Sequence, residues 1–116
     1  WEVIKPYFMK HVDPAKKTSN MSSINQQQPR VLIPGIGNDP ILLDLLREGY
    51  RDLTAFDYTE NAISRQEDLL TYTSDGSEYV SLRVMDARKL DDDWSNEKFD
   101  AILEKGALDA IYLFGN

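Results

Sequence analysis

At 116 residues the chain has room for one domain with a modest core, and not for two. Its 20 acidic against 13 basic residues give a net charge of -7, which argues against a nucleic-acid backbone or an anionic membrane as the main partner. With no cysteine and one histidine, His11, disulfides, thiolate catalysis and Cys/His metal sites are excluded, and no apolar run approaches the ~20 residues of a spanning helix.

The elements follow in chain order. Trp1, Ile4, Tyr7, Phe8 and Val12 recur on one face at helical spacing, so a leading helix is expected, best formed after Pro6. Asp13 to Pro29 is polar, rich in serine and glutamine, and reads as a loop. Residues 1–29 are thus a leading helix and polar loop, and residues 30–116 carry the main domain.

Arg30 to Pro34 is a short apolar run suited to a strand buried on both faces. Gly35-Ile36-Gly37-Asn38-Asp39-Pro40 follows, with Asp39 placed to cap a helix and Pro40 at its first position. Ile41, Leu42, Leu45 and Leu46 form that helix's buried stripe, and Gly49 ends it. Asp52 to Phe56 is a second strand, and Thr59 caps a second helix that runs through Ile63 to about Leu70. Thr73 to Gly76 is a polar turn and Tyr79 to Met85 a third strand, rich in β-formers. The acidic stretch Asp86 to Lys98 holds a short helix, Phe99 to Glu104 is a fourth strand, and Gly106 to Phe114 starts another helix.

Alternating strands and helices joined by short links call for a parallel sheet with helices on both faces, a Rossmann-like α/β fold of about four strands. In such sheets ligands lie outside the carboxyl ends of the strands, near the point where strand order reverses. Four strand ends then bring Gly35 and Gly37, Asp57, Asp86 and Glu104 to one edge. The glycines allow a sharp turn and close approach of a ligand. Asp57 lies 20 positions beyond Gly37, the separation of an acid that receives ribose hydroxyls. Tyr58 beside it can lie against a flat base, while Asp86 and the Ala87 amide suit an adenine edge. Each of these also has a plainer reading as a helix cap or a packing residue.

Two adenosine-bearing ligands compete for this pattern. The dinucleotide fingerprint wants a third glycine where Pro40 stands, and Asp39 puts negative charge at the helix mouth. S-adenosylmethionine (SAM) has no phosphate and carries a cationic sulfonium and amine, so the chemistry favours SAM over NAD.

The motifs resemble those of the class I, seven-stranded SAM-dependent methyltransferases, most closely a lysine-methylating group that acts on elongation factor 1A and citrate synthase. VLIPGIGNDP (Val31 to Pro40) is similar to the group's V-L-x-x-G-C-G-N-S, keeping Gly35, Gly37 and Asn38, with Ile36 for Cys and Asp39 for Ser. FDAILEKGALDAI (Phe99 to Ile111) is similar to F-D-x-x-x-D-K-G-T-L-D-A, keeping Lys105, Gly106, Leu108 and Asp109, with Glu104 for Asp and Ala107 for Thr. GYRDLTAFDYTENAI matches the second-strand segment, and Trp1 resembles an aromatic of the family's leading helix.

The resemblance implies strand order 3-2-1-4, with further C-terminal strands of the family missing after Asn116. It implies a SAM site in which Pro34, Gly35, Gly37 and Asn38 border the methionine part and Asp57 and Tyr58 meet the ribose and base. Asp86 and Ala87 would hold the adenine, and Glu104 and Lys105 would line the methyl-transfer side, Glu104 as the catalytic candidate. No metal is implied. The expected acceptor is a protein lysine, with no nucleic-acid or membrane partner, and a cytoplasmic location is expected, mitochondrial being the alternative. Rival readings are a non-catalytic SAM-binding fragment or interaction module, and an NAD-binding oxidoreductase module. A sheet stopped at its fourth strand would also leave an open edge for self-association.

Overall fold

Two runs with scarcely a polar side chain form the middle of the sheet. Val31–Pro34 (β1) and Leu53–Asp57 (β2) are buried along almost their whole length, which requires protein on both faces. They pair in parallel, from Val31 opposite Leu53 to Pro34 opposite Phe56. The structure, a computed structural model, describes residues 4–13, 28–73, 76–85, 99–104 and 110–113.

Val80–Val84 (β3) runs parallel along the outer side of β2, and its partial exposure fits a strand at the margin. Ala101–Glu104 (β4) runs parallel along the other side of β1. Strand order 3-2-1-4 results, as the family resemblance implies. Ala110–Leu113 (β5) then lies antiparallel against β4, giving the full order β3-β2-β1-β4-β5.

This last strand corrects the helix expected over Gly106 to Phe114. Ile111, Tyr112 and Leu113 are strand-favouring residues, and pairing with β4 satisfies backbone groups that an unpartnered strand would leave open. The open edge expected at the fourth strand is therefore occupied by β5.

Lys5–His11 (α1) begins one residue before Pro6, which stands in the first turn where its missing N–H is not needed. Phe8 and Val12 are buried, but Tyr7, expected on the same face, is 53% exposed, its ring beside that of His11. Ile41–Arg47 (α2) buries Ile41, Leu42, Leu45 and Leu46, the expected stripe, and Gly49 follows at a φ of 102°. Glu60–Leu70 (α3) is capped by Thr59, whose Oγ accepts the Ala62 N–H at 3.2 Å. Gly76–Tyr79 (α4) is one helical turn leading directly into β3, where the sequence reads as a turn and an earlier strand start. No described helix is long and apolar enough to cross a membrane.

The helices α1, α2 and α3 share one core with β1 and β2: Phe8, Ile41, Leu45, Ile63 and Leu70 meet Val31, Ile33, Leu53 and Ala55. Leu32 and Phe56 point to the opposite face and are buried there too, against Met85, Phe99 and Ile102. The helix expected over Asp86 to Lys98 lies outside the described residues.

α1 docks at the C-terminal end of α2. The Tyr50 hydroxyl donates to the Val12 carbonyl, and Lys5 pairs with Glu48 at 2.6 Å. Burial, with Asp13 and Glu48 adding negative charge, pushes the Tyr50 phenol well above its ordinary pKa, so it stays a donor.

Candidate functional site

The strand ends are level with one another. Pro34 stands opposite Phe56, and Phe56 opposite Arg83. Continuing the Leu32–Ile102 register brings Glu104 level with Pro34. Asp57 is the last residue of β2, where the sequence reads as placing it one past the strand, and it pairs with Val84. One edge of the sheet thus presents the turn after β1, the acid at the end of β2 and the half-buried Glu104 of β4.

The turn after β1 depends on its glycines. Gly35 and Gly37 have φ of 59° and 55°, a left-handed backbone that costs any other L-residue about 1–2 kcal/mol. A Cβ built on either meets nothing within 4 Å, so open space lies above both. The Ile36 N–H still bonds to the Phe56 carbonyl at 3.1 Å, which keeps the start of the turn fastened to β2.

Asp57 ties that turn to the next helix. Its Oδ2 accepts the Gly37 N–H at 3.0 Å, and its Oδ1 accepts the Thr59 N–H and Thr59 hydroxyl, both at 3.1 Å. The residue is 7% exposed. A carboxylate offers about four lone-pair sites, so Oδ2 retains one for a further donor. Asp57 thus organises the cap of α3, the plainer of its sequence readings, and also borders the glycine turn.

Asp39 behaves as a cap should: its Oδ1 accepts the Ile41 N–H at 3.0 Å, although the regular helix begins at Ile41. The first amide of α2 is already bonded to a carboxylate. Tyr58 is 78% exposed at the same edge, and Asn38 is exposed with its side-chain oxygen accepting from Arg65 at 2.9 Å.

Sequence reasoning missed one contributor. Gln66, fully buried on α3, donates through Nε2 to the Gly37 carbonyl at 2.8 Å and to the Asp39 carbonyl at 2.9 Å. The signal was present: a glutamine stands in the helical stripe Ala62, Ile63, Gln66, Leu70, where an apolar residue is the rule. Asp86, Ala87 and Lys105 lie outside the described residues, as does Trp1. His11, whose Nδ1 donates to the Tyr7 carbonyl at 3.0 Å, is on α1 and so belongs to the far end of α2.

No family model matches the chain. Among curated proteins it is similar to EEF1A lysine methyltransferase 2 of Danio rerio, 31% identical over 83 residues, which are 72% of this chain and 34% of that protein. It is similar as well to EEF1A lysine methyltransferase 4 of Mus musculus, 31% identical over 86 residues, 72% of this chain and 31% of that one. The chain spans about a third of the length of these relatives. Among solved structures, the PH0226 protein of Pyrococcus horikoshii superposes with a TM-score of 0.59 at 22% identity, over 87% of this chain and 39% of that one. The plantazolicin methyltransferase BamL, solved with a triazolic desmethylPZN analog and SAH, superposes with a TM-score of 0.50 at 25% identity, over 70% and 28%.

Proposed function

We infer, for a chain that has the fold and the sequence relatives of the class I SAM-dependent methyltransferases, that its protein transfers a methyl group from SAM to a lysine side chain of a protein. One observation carries the reading: the glycine turn and the Asp57 carboxylate are joined at a single level edge, beneath open space and with a lone pair of Asp57 remaining.

The residues fit SAM better than a dinucleotide. Asp39 already occupies the Ile41 amide, and Pro40 has no N–H to give, so the mouth of α2 offers a pyrophosphate little. Asp57 accepts the ribose hydroxyls, and Tyr58 lies beside the base. Pro34, Gly35, Gly37 and Asn38 border the methionine part, where the absence of a Cβ lets the ligand approach the backbone. Asp86 and Ala87 take the adenine edge, and Glu104 and Lys105 line the acceptor side.

When bound, SAM supplies a methyl group already activated on its sulfonium. The chain's own contribution is alignment and exclusion of water. A lysine acceptor, whose ordinary pKa is near 10.4, must arrive neutral, and exclusion of water from the acceptor side favours the neutral amine.

The test begins with binding. The full-length protein titrated by calorimetry with SAH and, separately, with NADH should take up SAH alone; uptake of NADH alone would install the oxidoreductase reading instead. Labelled SAM with purified eEF1A and with a whole-cell extract then probes the acceptor. Label on lysine supports the reading, and SAH binding without transfer to any protein would leave a non-catalytic binding module.

A further inference from the structure

We propose that Gln66 is a positioning residue for the glycine turn, acting from α3 on the cofactor that the turn receives; this rests on the SAM reading of the site. Gln66 has no exposed surface, and both hydrogens of its Nε2 are taken by backbone carbonyls of the turn, those of Gly37 and Asp39. Its own Oε1 is buried with no hydrogen-bond partner. A buried amide with an orphaned oxygen is unfavourable, and leucine or alanine would fill this helical position without that penalty and with better helix propensity. The two donated bonds are what the glutamine adds.

Their effect follows from peptide geometry. A trans peptide holds its C=O and N–H on opposite sides, so turning the Gly37 carbonyl toward α3 aims the Asn38 N–H away from that helix. No described group of the protein accepts the Asn38 N–H. Gly37 is meanwhile held through its own N–H by Asp57 on β2. A glycine at a φ of 55°, with no Cβ to restrict it, is thus fixed on both sides, from β2 by Asp57 and from α3 by Gln66. The exposed Arg65, one residue earlier, adds its bond to the Asn38 side chain. Without Gln66 the turn keeps its residues and loses its orientation.

The substitution Gln66→Met keeps length and apolar volume and removes both donors. In the full-length protein it should weaken SAH binding by about tenfold, equivalent to about 1.4 kcal/mol. The KM for SAM should rise with it, while kcat at saturating SAM stays within about twofold and the KM for the acceptor is unchanged. A folded variant that melts lower yet binds SAH with wild-type affinity marks Gln66 as a core residue only and overturns the proposal. In the 15N-labelled wild type, the side-chain amide protons of Gln66 should exchange slowly and shift on SAH saturation. That measurement decides the matter if the variant does not fold, and resonances unmoved by bound SAH would overturn the proposal. Failure of the wild type to bind SAH is the separate result that removes the site reading, and this inference with it.

Discussion

The two ends of the sheet are built on opposite terms. At the end where the strands begin, polar groups close on one another. The Arg30 N–H donates to Asp100 at 2.7 Å, its Nε lies 3.4 Å from Asp52, and its guanidinium stands over the Phe99 ring at 4.8 Å. Nearby, Arg51 donates to the Leu46 and Tyr50 carbonyls, and Tyr50 to Val12. At the end where the strands finish, Gly35, Asn38 and Tyr58 are exposed, open space lies above the glycines, and Asp57 has bonding capacity left. The difference separates an end that serves stability from the end where binding is proposed. The first end holds β1, β2 and β4 together by contacts within the chain, and the second, though braced by bonds of its own, leaves open space beside an acceptor with capacity to spare, as the proposed site requires.

Substitutions can break or sharpen that contrast. The largest effect is expected from Asp57→Ala, which leaves the Gly37 and Thr59 donors without their acceptor and removes the proposed ribose contact. Orphaned buried groups cost about 1–3 kcal/mol each, so SAH affinity should fall by roughly 10- to 100-fold in calorimetry, with a lower melting temperature. Wild-type affinity in a folded variant would remove Asp57 from the site. Gly37→Ala comes next. Its left-handed backbone should lower stability by about 1–2 kcal/mol in denaturant unfolding, and its methyl enters the open space, so affinity should drop further than stability does.

Thr59→Ala should cost about 1 kcal/mol through loss of the α3 cap, with a weakening of SAH binding of only a few-fold. Arg30→Ala is the smallest. The backbone bond from residue 30 to Asp100 survives, and the lost ion pair with Asp52 is half exposed, so unfolding should shift by less than about 1 kcal/mol. SAH affinity should not change at all. A fall in affinity there would erase the division between the two ends.

Much of this was legible in the sequence because it rests on local rules. The VLI and LTAF runs announce buried strands, Asp39 and Thr59 announce caps, and Gly35 and Gly37 announce a turn between a strand and a helix. Asp57 was found by its distance from Gly37, although its place within the strand, level with Val84, required the register. Gln66 was legible only as a polar residue in an apolar stripe; its partners, 27 and 29 positions away, were not. The run Gly106 to Phe114 reads as a helix from the alternation of elements, whereas Ile111 and Tyr112 favour a strand, and residues 110–113 pair with the edge of β4. Tyr7 followed helical spacing and still came out half exposed, since α1 is short and offers the core only Phe8 in full.

The carboxylate of Asp39, seated on the Ile41 amide, has a consequence for life among abundant nucleotides. If this edge is the proposed adenosyl site, any adenosine-bearing molecule could present a base and a ribose to it, ATP and NAD among them. A resident anion beside the turn repels their phosphate tails while leaving a positively charged tail unopposed. On the proposed reading, discrimination among competitors would then fall to Asp39, a side chain set apart from the Asp57 carboxylate that is proposed to meet the ribose they share.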